Sequence, residues 1–471
     1  MKKINLIFIL IVLFSNFAYA EEAVYQQSAP TIHSIYTLDD LYKIALERSE
    51  KIKISEEDLY ISEREKDRAL SVLLPTLSAY WDVRQYNESK VHYDKTTKLD
   101  FSVPYPPTEV PGRKRSIVQP QSAYSWGLRL DQSFSLSLRE LTAFSISKKN
   151  IVQSGYDLSV VRESYLLDVS NAFYNLLRAK ESLQIANAEV ERLTKYRDAA
   201  KVRLRVGEVT KTAVLRAEAE LSGAQSTQII AENGLAFAKA SLVRIVGIEG
   251  DFEIKETSRE IKDTANVNSP TALDSLKQSA FSERAELKSL EIQKKTAEDQ
   301  VRYASGAYWP NLSLEGVYAK NDSYPSPGYQ NTESIYGGLK LNFPFFEGGL
   351  RIAEVRQAKS RQKQAELAYE DRKKDISIEV ETAYLELRTQ EGILVKFREQ
   401  VVYAEDNYKA VSKQYEYGLA NTLDVIDANT TLVTAERQLA DTKYNYQLSA
   451  LILQRATGTL LKTVIQQNTK D

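Results

Sequence analysis

Two hydrophobic periods alternate along the chain, and each reports a different kind of element. In the second half Val380, Leu387, Leu394, Val401, Tyr408 and Tyr415 fall every seven residues, and three places on from the first five sit Ala383, Gln390, Phe397, Ala404 and Val411. The first half repeats the register with Val169, Leu176, Leu183, Val190, Arg197 and Leu204, accompanied by Ala172, Ala179, Ala186, Leu193 and Ala200. A strict seven-residue repeat predicts left-handed coiled-coil packing, and small residues at the second seam position let neighbouring helices approach closely. Long helices are therefore expected over about 140–206 and 350–417, shorter ones over 211–246 and 422–457, and further helical stretches over 38–73 and 273–307. A helix of about 67 residues at ~1.5 Å per residue is ~100 Å long, so two stacked helices of roughly 36 residues match one long one. Taken alone, this pattern also fits a soluble coiled-coil rod.

The second period is two. Leu77-Ser78-Ala79-Tyr80-Trp81-Asp82-Val83-Arg84 alternates apolar with polar, as do Trp126 to Asp131, Leu312 to Gly316 and Gly337 to Asn342. Such alternation predicts strands at about 75–86, 123–136, 310–320 and 334–344, each with one apolar and one polar face. It is the dyad pattern of a transmembrane barrel, apolar to lipid and polar to the lumen. Tyr80, Trp81, Tyr86, Tyr124, Trp126, Trp309 and Tyr336 stand near the strand ends, where interface girdles form. Two amphipathic hairpins on a soluble core would show the same alternation. If the strands are in lipid, four cannot close a barrel, and an open edge in hydrocarbon leaves backbone groups unpaired at several kcal/mol each. Three chains would supply twelve strands, an even number in the bacterial range.

The halves are copies. Ala172 and Ala383, Gly207 and Gly418, and Gly247 and Gly458 all stand 211 positions apart. Pro75 and Pro310 stand 235 apart, so the first copy carries 24 extra residues between Pro75 and Gly127. They fall in a stretch from Asn87 to about Ser122 with five prolines and the cluster Arg113-Lys114-Arg115, which reads as an irregular loop. The expected organisation is a signal peptide at 1–20, a first repeat at 21–247, a linker at 248–272, a second repeat at 273–459 and a tail at 460–471.

Composition narrows the class. Lys2 and Lys3, the apolar run Leu6 to Phe14 and the Ala18-Tyr19-Ala20 motif read as a signal peptide cleaved after Ala20. The run is shorter than the ~20 residues a spanning helix needs. The chain has no cysteine and only two histidines, His33 and His92, so thiol chemistry is excluded and neither a zinc site nor a His-based triad is expected. A net charge of -2 without a sustained basic stretch gives no nucleic-acid surface. No cofactor and no catalytic residue is expected.

Leu74-Pro75-Thr76-Leu77 and Trp309-Pro310-Asn311-Leu312 open the first strands, Phe343-Pro344-Phe345-Phe346-Glu347-Gly348-Gly349 follows the last, and Thr422 to Ala428 reads Thr-Leu-Asp-Val-Ile-Asp-Ala. With the duplication, these motifs resemble the TolC-like outer-membrane efflux protein family over nearly the whole chain. The resemblance implies a mixed α and β fold: long coiled-coil helices and four transmembrane strands per chain, with a homotrimer forming a 12-stranded β-barrel on an α-helical barrel. It implies an exit duct of an efflux or type I secretion system in the outer membrane, reaching through the periplasm to an adaptor protein and an inner-membrane pump. The contrasting expectation is a periplasmic coiled-coil adaptor, which should show one helical hairpin and an anchor. In the first copy Gln132 to Leu138 replaces the Pro and Gly-Gly turn.

The resemblance also locates a site at the helix tips. Gly207 and Gly418 end the long helices, as glycine does after a helix C-terminus. With Val206, Val209, Leu419 and Thr422 they are expected to form the adaptor-docking surface. The family's entrance latch implies Tyr415 at the pore constriction, while its Asp and Arg partners are Ala213 and Ala420 here. Asp424 and Asp427 lie three apart at a helix start and share a face, whereas the first copy has Ala213 and Arg216. In a trimer Asp424 is expected to form a carboxylate ring attractive to cations. Asp427 is expected to pair with Arg216 and hold the entrance shut.

Overall fold

The computed structural model describes residues 34–96, 112–248, 250, 252–256, 270–326 and 330–468. The signal segment with Ala18 and Ala20, and most of the 248–272 linker, lie outside the described residues. The elements in chain order are β1 (Ser34–Tyr36), α1 (Leu38–Arg48), α2 (Glu50–Ser71), β2 (Thr76–Gln85), β3 (Lys90–Thr96), β4 (Gly112–Gln119), β5 (Ser122–Ser135), α3 (Arg139–Arg205) and α4 (Lys211–Val246). There follow β6 (Phe252–Ile254), α5 (Pro270–Glu283), α6 (Ala285–Ser305), β7 (Asn311–Tyr324), β8 (Glu333–Asn342), α7 (Leu350–Glu416), α8 (Thr422–Ala456) and α9 (Leu460–Asn468).

The heptad seams become the helical core. Val169, Leu176, Ala186, Leu193 and Ala200 of α3 and Val380, Ala383, Leu387, Leu394, Ala404 and Tyr415 of α7 are buried. Each 67-residue helix runs beside two shorter ones. Near the strands α3 packs against α2 and α6, and farther down against α4 and α8. In the far half the order across the chain is α4, α3, α8, α7, which leaves α4 and α7 as its free flanks.

Four expectations change. The stretches 38–73 and 273–307 are each broken by one extended residue, Ser49 and Arg284, which stand 235 positions apart (φ/ψ −61/123 and −62/123). Heptad reading spans such a break because the apolar period resumes after it. The loop at 87–122 contains a hairpin: β3 and β4 pair antiparallel and prolong the β2–β5 pair, with Tyr86 N–H donating to the Gln121 carbonyl at 2.8 Å. The tail expected at 460–471 is the helix α9, whose Leu460 and Val464 are buried in the central core. Finally, the chain enters α3 through Leu138 at φ 59, where α7 has Gly349 at φ 87, 211 residues on. The turn that lost its glycines keeps the left-handed backbone, at a steric cost of roughly 1–2 kcal/mol.

The four long strands form one antiparallel sheet in the order β2-β5-β7-β8. Trp81 lies opposite Trp126, Leu77 opposite Leu130, and Leu314 opposite Leu339, so the apolar positions share one face. Leu77, Trp81, Leu128, Leu130, Leu314, Ile335 and Leu339 are all exposed there. The other face is polar. Arg129 binds Asp131 at 2.8 Å and Glu315 at 3.6 Å, and Arg84 binds Asp82 at 2.8 Å. Tyr80 and Tyr336 belong to this polar face and not to a lipid girdle: Tyr80 covers Gly127, and the Tyr336 hydroxyl reaches Glu315 at 3.3 Å. A Cβ at Gly127 would stand 2.2 Å from the Tyr318 carbonyl oxygen, which is why glycine is needed there. Strands β2 and β8 have no second partner in the sheet. Among the described residues no helix is long and apolar enough to cross a membrane.

Between sheet and tips an equatorial core joins the copies. Leu41, Tyr42, Leu166, Phe173, Leu242, Phe252 and Leu460 are packed together, and β1 pairs parallel with β6 beside them. In the second copy the break at Arg284 is buried and ionic. Its guanidinium binds Glu379 and Glu286, and Arg372 reaches Glu379 at 2.8 Å and Glu286 at 3.2 Å. Burial, and then the nearby Glu286 carboxylate, push the Glu163 carboxyl of α3 up to about 7.

Two outcomes check this architecture. Leu128→Arg places a charge on the apolar face and should cost about 2–4 kcal/mol at mid-membrane depth. Arg129→Gln on the opposite face should cost far less, read as the urea midpoint of the membrane-inserted protein. Glu163 is held protonated in the fold more than in the open chain, so its stabilising contribution is complete below pH 4.5 and is lost as pH rises through about 7. Glu163→Gln should flatten the fall in thermal midpoint across that window, and an unchanged slope would mean that the carboxyl is not buried.

Candidate functional site

The site lies at the end of the helices far from the sheet. Gly207 and Gly418 adopt left-handed backbone, with φ of 80 and 76. In the second copy Leu419 N–H donates to the Gln414 carbonyl at 2.8 Å and Gly418 N–H to the Tyr415 carbonyl at 3.0 Å. The first copy repeats this with Glu208 to Arg203 at 2.9 Å and Gly207 to Leu204 at 3.1 Å. Both turns are Schellman caps, which satisfy the last helical carbonyls and require a residue tolerant of positive φ.

The next helices start differently in the two copies. Asn421 caps α8: its Oδ1 accepts from the N–H groups of Leu423 at 2.8 Å and Asp424 at 3.1 Å. Asp424 Oδ2 accepts in return from the Asn421 N–H at 2.8 Å. This capping box is absent from α4, whose Thr210 makes no side-chain cap. Absence of an acid at Ala213 thus does not argue against a capping role for Asp424, because the first copy lacks the box altogether. Asp424, Asp427 and Arg216 are all exposed. Asp427 and Arg216 form no ion pair within the chain among the described residues.

Tyr415, expected at the constriction, is instead buried in the seam with Tyr196, Ala217, Val425 and Ile426. Its ring centroid lies 5.1 Å from that of Tyr196, and the Arg203 guanidinium stands over it at 4.3 Å. Arg203 also donates to the Glu416 carbonyl at 2.7 Å, and the Tyr196 hydroxyl donates to the Thr422 carbonyl at 3.2 Å. Arg203 and Tyr196 of the first copy therefore hold the tip of the second, at the place where Ala213 and Ala420 supply no latch. Neither residue stood out in the sequence, because the pairing joins positions more than 200 apart. The Asn421-x-x-Asp424 box was missed as well, although its spacing is that of a capping pattern and could have been found from it.

Three large apolar side chains are exposed at the tips, beside the charged Arg205, Glu208 and Glu416. Val206 is 67% exposed, Tyr417 79% and Leu419 79%, while Val209 and Thr422 are half-buried. Tyr417, one residue before the glycine, is an addition to the expected set. No group of acidic or histidine side chains able to hold a metal ion occurs among the described residues.

The outer membrane efflux protein family matches residues 41–248 and 276–459, one stretch in each copy. The chain belongs to this outer membrane efflux protein family. Among its relatives, outer membrane protein TolC of Vibrio cholerae is 26% identical over 326 residues, covering 67% of this chain and 72% of the relative. The alkaline protease secretion protein AprF of Pseudomonas aeruginosa is 24% identical over 433 residues, covering 89% and 84%. The fold is shared with the CmeC outer membrane channel of Campylobacter jejuni, at TM-score 0.74 and 16% identity over 95% of this chain and 94% of that one. As an outer membrane efflux protein the chain is a channel of the outer membrane that extends into the periplasm, and the adaptor alternative is set aside.

The tip geometry has a direct test. Removing the Arg203 ring contact and carbonyl bond should cost about 1 kcal/mol at the tip, a roughly fivefold change. Arg203→Ala should raise amide hydrogen exchange in 415–422 by that factor and leave the equatorial core unaffected. Equal exchange in both proteins would show that Arg203 does not hold the tip.

Proposed function

We propose that three copies of this chain close a twelve-stranded barrel in the outer membrane, continued below by a helical tunnel, and that the assembly is a passive exit duct. The carrying observation is the sheet with an apolar outer face and two unpaired edges, β2 and β8. In hydrocarbon each unpaired backbone group costs several kcal/mol, so β8 of one copy pairs with β2 of the next until the ring closes. The helical part then has six similar hairpins, two from each chain.

The duct does no chemistry, and energy for export comes from an inner-membrane pump reached through a periplasmic adaptor. The exposed Val206, Tyr417 and Leu419, with Val209, Gly207, Gly418 and Thr422 behind them, form the surface offered to that adaptor. An apolar patch on otherwise charged helical ends is the kind of surface that marks a protein contact. Replacing Leu419 and Val206 by Glu should abolish export in cells while trimers still reach the outer membrane. Undiminished export would reduce the tips to structural turns.

At the entrance Asp424 serves two ends. One carboxylate oxygen completes the helix cap, and the exposed charge is repeated three times around the axis of the trimer. Asp427 on the same helix faces Arg216 of the neighbouring hairpin in this arrangement and holds the entrance narrow. Planar-bilayer conductance separates charge from cap. Asp424→Asn keeps an acceptor at the cap and should lower cation selectivity as far as Asp424→Ala does, and Arg216→Ala should raise conductance. If only the alanine variant changes the channel, the cap is the whole role of Asp424.

A further inference from the structure

The two strand hairpins of the chain pair in one register. Thr76 lies opposite Asp131 in the first, and Asn311 opposite Asn342 in the second, 235 and 211 positions on. Between the hairpins lies a second kind of seam, β5 against β7, and a ring of such hairpins closes by repeating it. In the trimer proposed above, on which this inference rests, it recurs between β8 of one chain and β2 of the next. Shifting the β5–β7 pairs by the same two offsets gives its register. Arg129 opposite Val317 becomes Lys340 opposite Asp82 of the next chain. Leu130 opposite Gly316 becomes Leu341 opposite Trp81, and Phe134 opposite Leu312 becomes Phe345 opposite Leu77.

The chain leaves room for this ladder. Residues 132–135 of the first copy are paired with 311–314 of β7, whereas their counterparts 343–346 follow β8 with no ladder partner among the described residues. Phe345 is 88% exposed there, and Leu77 on the free edge of β2 is 70% exposed.

Pro344 fits it as well. At the end of the β5–β7 seam Leu136 N–H donates to the Pro310 carbonyl at 3.0 Å, so 136 and 310 form a hydrogen-bonded pair. Such pairs alternate with non-hydrogen-bonded ones, which include Ser133 opposite Ser313 and Arg129 opposite Val317. The Ser313 hydroxyl accordingly reaches that of Ser133 at 3.1 Å. Pro344 is the counterpart of Ser133 and falls opposite Ser78 of the next chain, at a position whose N–H points away from that chain. The ladder to β7 has ended at Asn342, so the proline removes no bond from either neighbour.

Charge then separates this register from its neighbours. Lys340 is exposed and makes no ion pair among the described residues, and Asp82 is met by Arg84 of its own strand at 2.8 Å. A slip of two residues one way sets Lys340 opposite Arg84, where like charges repel. The same slip the other way sets it opposite Tyr80 and leaves Asp82 facing Gly338. A slip of one residue turns the apolar positions of one strand to the lumen.

We propose that neighbouring chains meet in the duplicated register, with Lys340 of one chain held against Asp82 of the next on the lumenal face and Phe345 seated beside Leu77 on the lipid face. The free ends of the two edge strands are thus complementary parts of one seam, and each chain carries a copy of it in its own centre.

In a non-hydrogen-bonded pair the Cα atoms stand about 4.5 Å apart, within reach of a disulfide. The chain has no cysteine of its own. Lys340→Cys with Asp82→Cys, oxidised in outer-membrane fractions, should give a covalent trimer that reductant dissolves. It should form at least tenfold faster than with Lys340→Cys and Tyr80→Cys, or with Lys340→Cys and Arg84→Cys. The unsubstituted protein supplies a second reading. A carbodiimide, which joins an amine to a carboxylate in contact, should link chain to chain through Lys340 and Asp82, identified by mass spectrometry of the peptides. Within one chain these residues lie on opposite edges of the sheet, so the link reports a neighbour. In a protein that is a trimer by native mass, equal rates, a faster disulfide at 80 or 84, or a Lys340 that links elsewhere or not at all would overturn the register and leave the ring standing. A monomer by native mass would defeat the ring, and the register with it.

Discussion

Backbone groups cannot be left unpaired in hydrocarbon, and this constraint governs the rest of the molecule. The sheet presents a continuous apolar face from Leu77 across to Leu341, yet β2 and β8 each leave one edge bare. A single chain is thus incomplete in the medium its sheet is made for. The requirement propagates downward. In the ring proposed above, each chain contributes four consecutive strands, and the helices below follow the same order of chains. The exposed side chains on α4 and α7 are the periplasmic expression of an edge problem solved in the membrane.

Below the sheet, stability shifts from strand pairing to the heptad seam and to buried ions. Where α5 meets α6, Arg284 replaces Ser49 of the first copy, and Glu286, Glu379 and Arg372 surround it. Gly458 is packed so tightly against this break that a Cβ would stand 2.9 Å from the Arg284 nitrogen. The equivalent contact in the first copy is looser, with the Arg48 guanidinium donating to the Gly247 carbonyl at 2.9 Å. Duplicate backbones have therefore been kept while their joints diverged in chemistry, and the same divergence separates Asn421 from Thr210 at the tips.

The sequence was most informative where a period repeats. Heptads located both long helices within a residue or two, and the constant step of 211 located their partners. Alternation assigned Trp81, Leu128, Leu130, Leu314 and Leu339 to one face and Arg84, Arg129, Glu315 and Lys340 to the other, as the strand register has them. Alternation also put Tyr80 on the polar face, where its register opposite Gly127 has it; grouping it with the girdle aromatics went wrong because position near a strand end says nothing of the face. Single-residue events escaped for a similar reason. Neither the extended backbone at Ser49 and Arg284 nor the left-handed Leu138 disturbs a pattern averaged over many residues. The tip was half legible: Gly207 and Gly418 follow a local rule, whereas the burial of Tyr415 under Arg203 depends on a contact between distant parts of the chain.

The hairpin β3–β4 carries a different consequence. It extends the β2–β5 pair away from the helices, so it lies on the far side of the sheet from the tunnel, and it accounts for most of the length by which the first copy exceeds the second. None of its described residues belongs to the helical seam, the equatorial core or the tips. For a channel whose helices hang in the periplasm, that side is the outside world. Among the described residues the hairpin is therefore tied to the rest of the fold through its two parent strands alone, so its length is set apart from the packing that shapes the helices below.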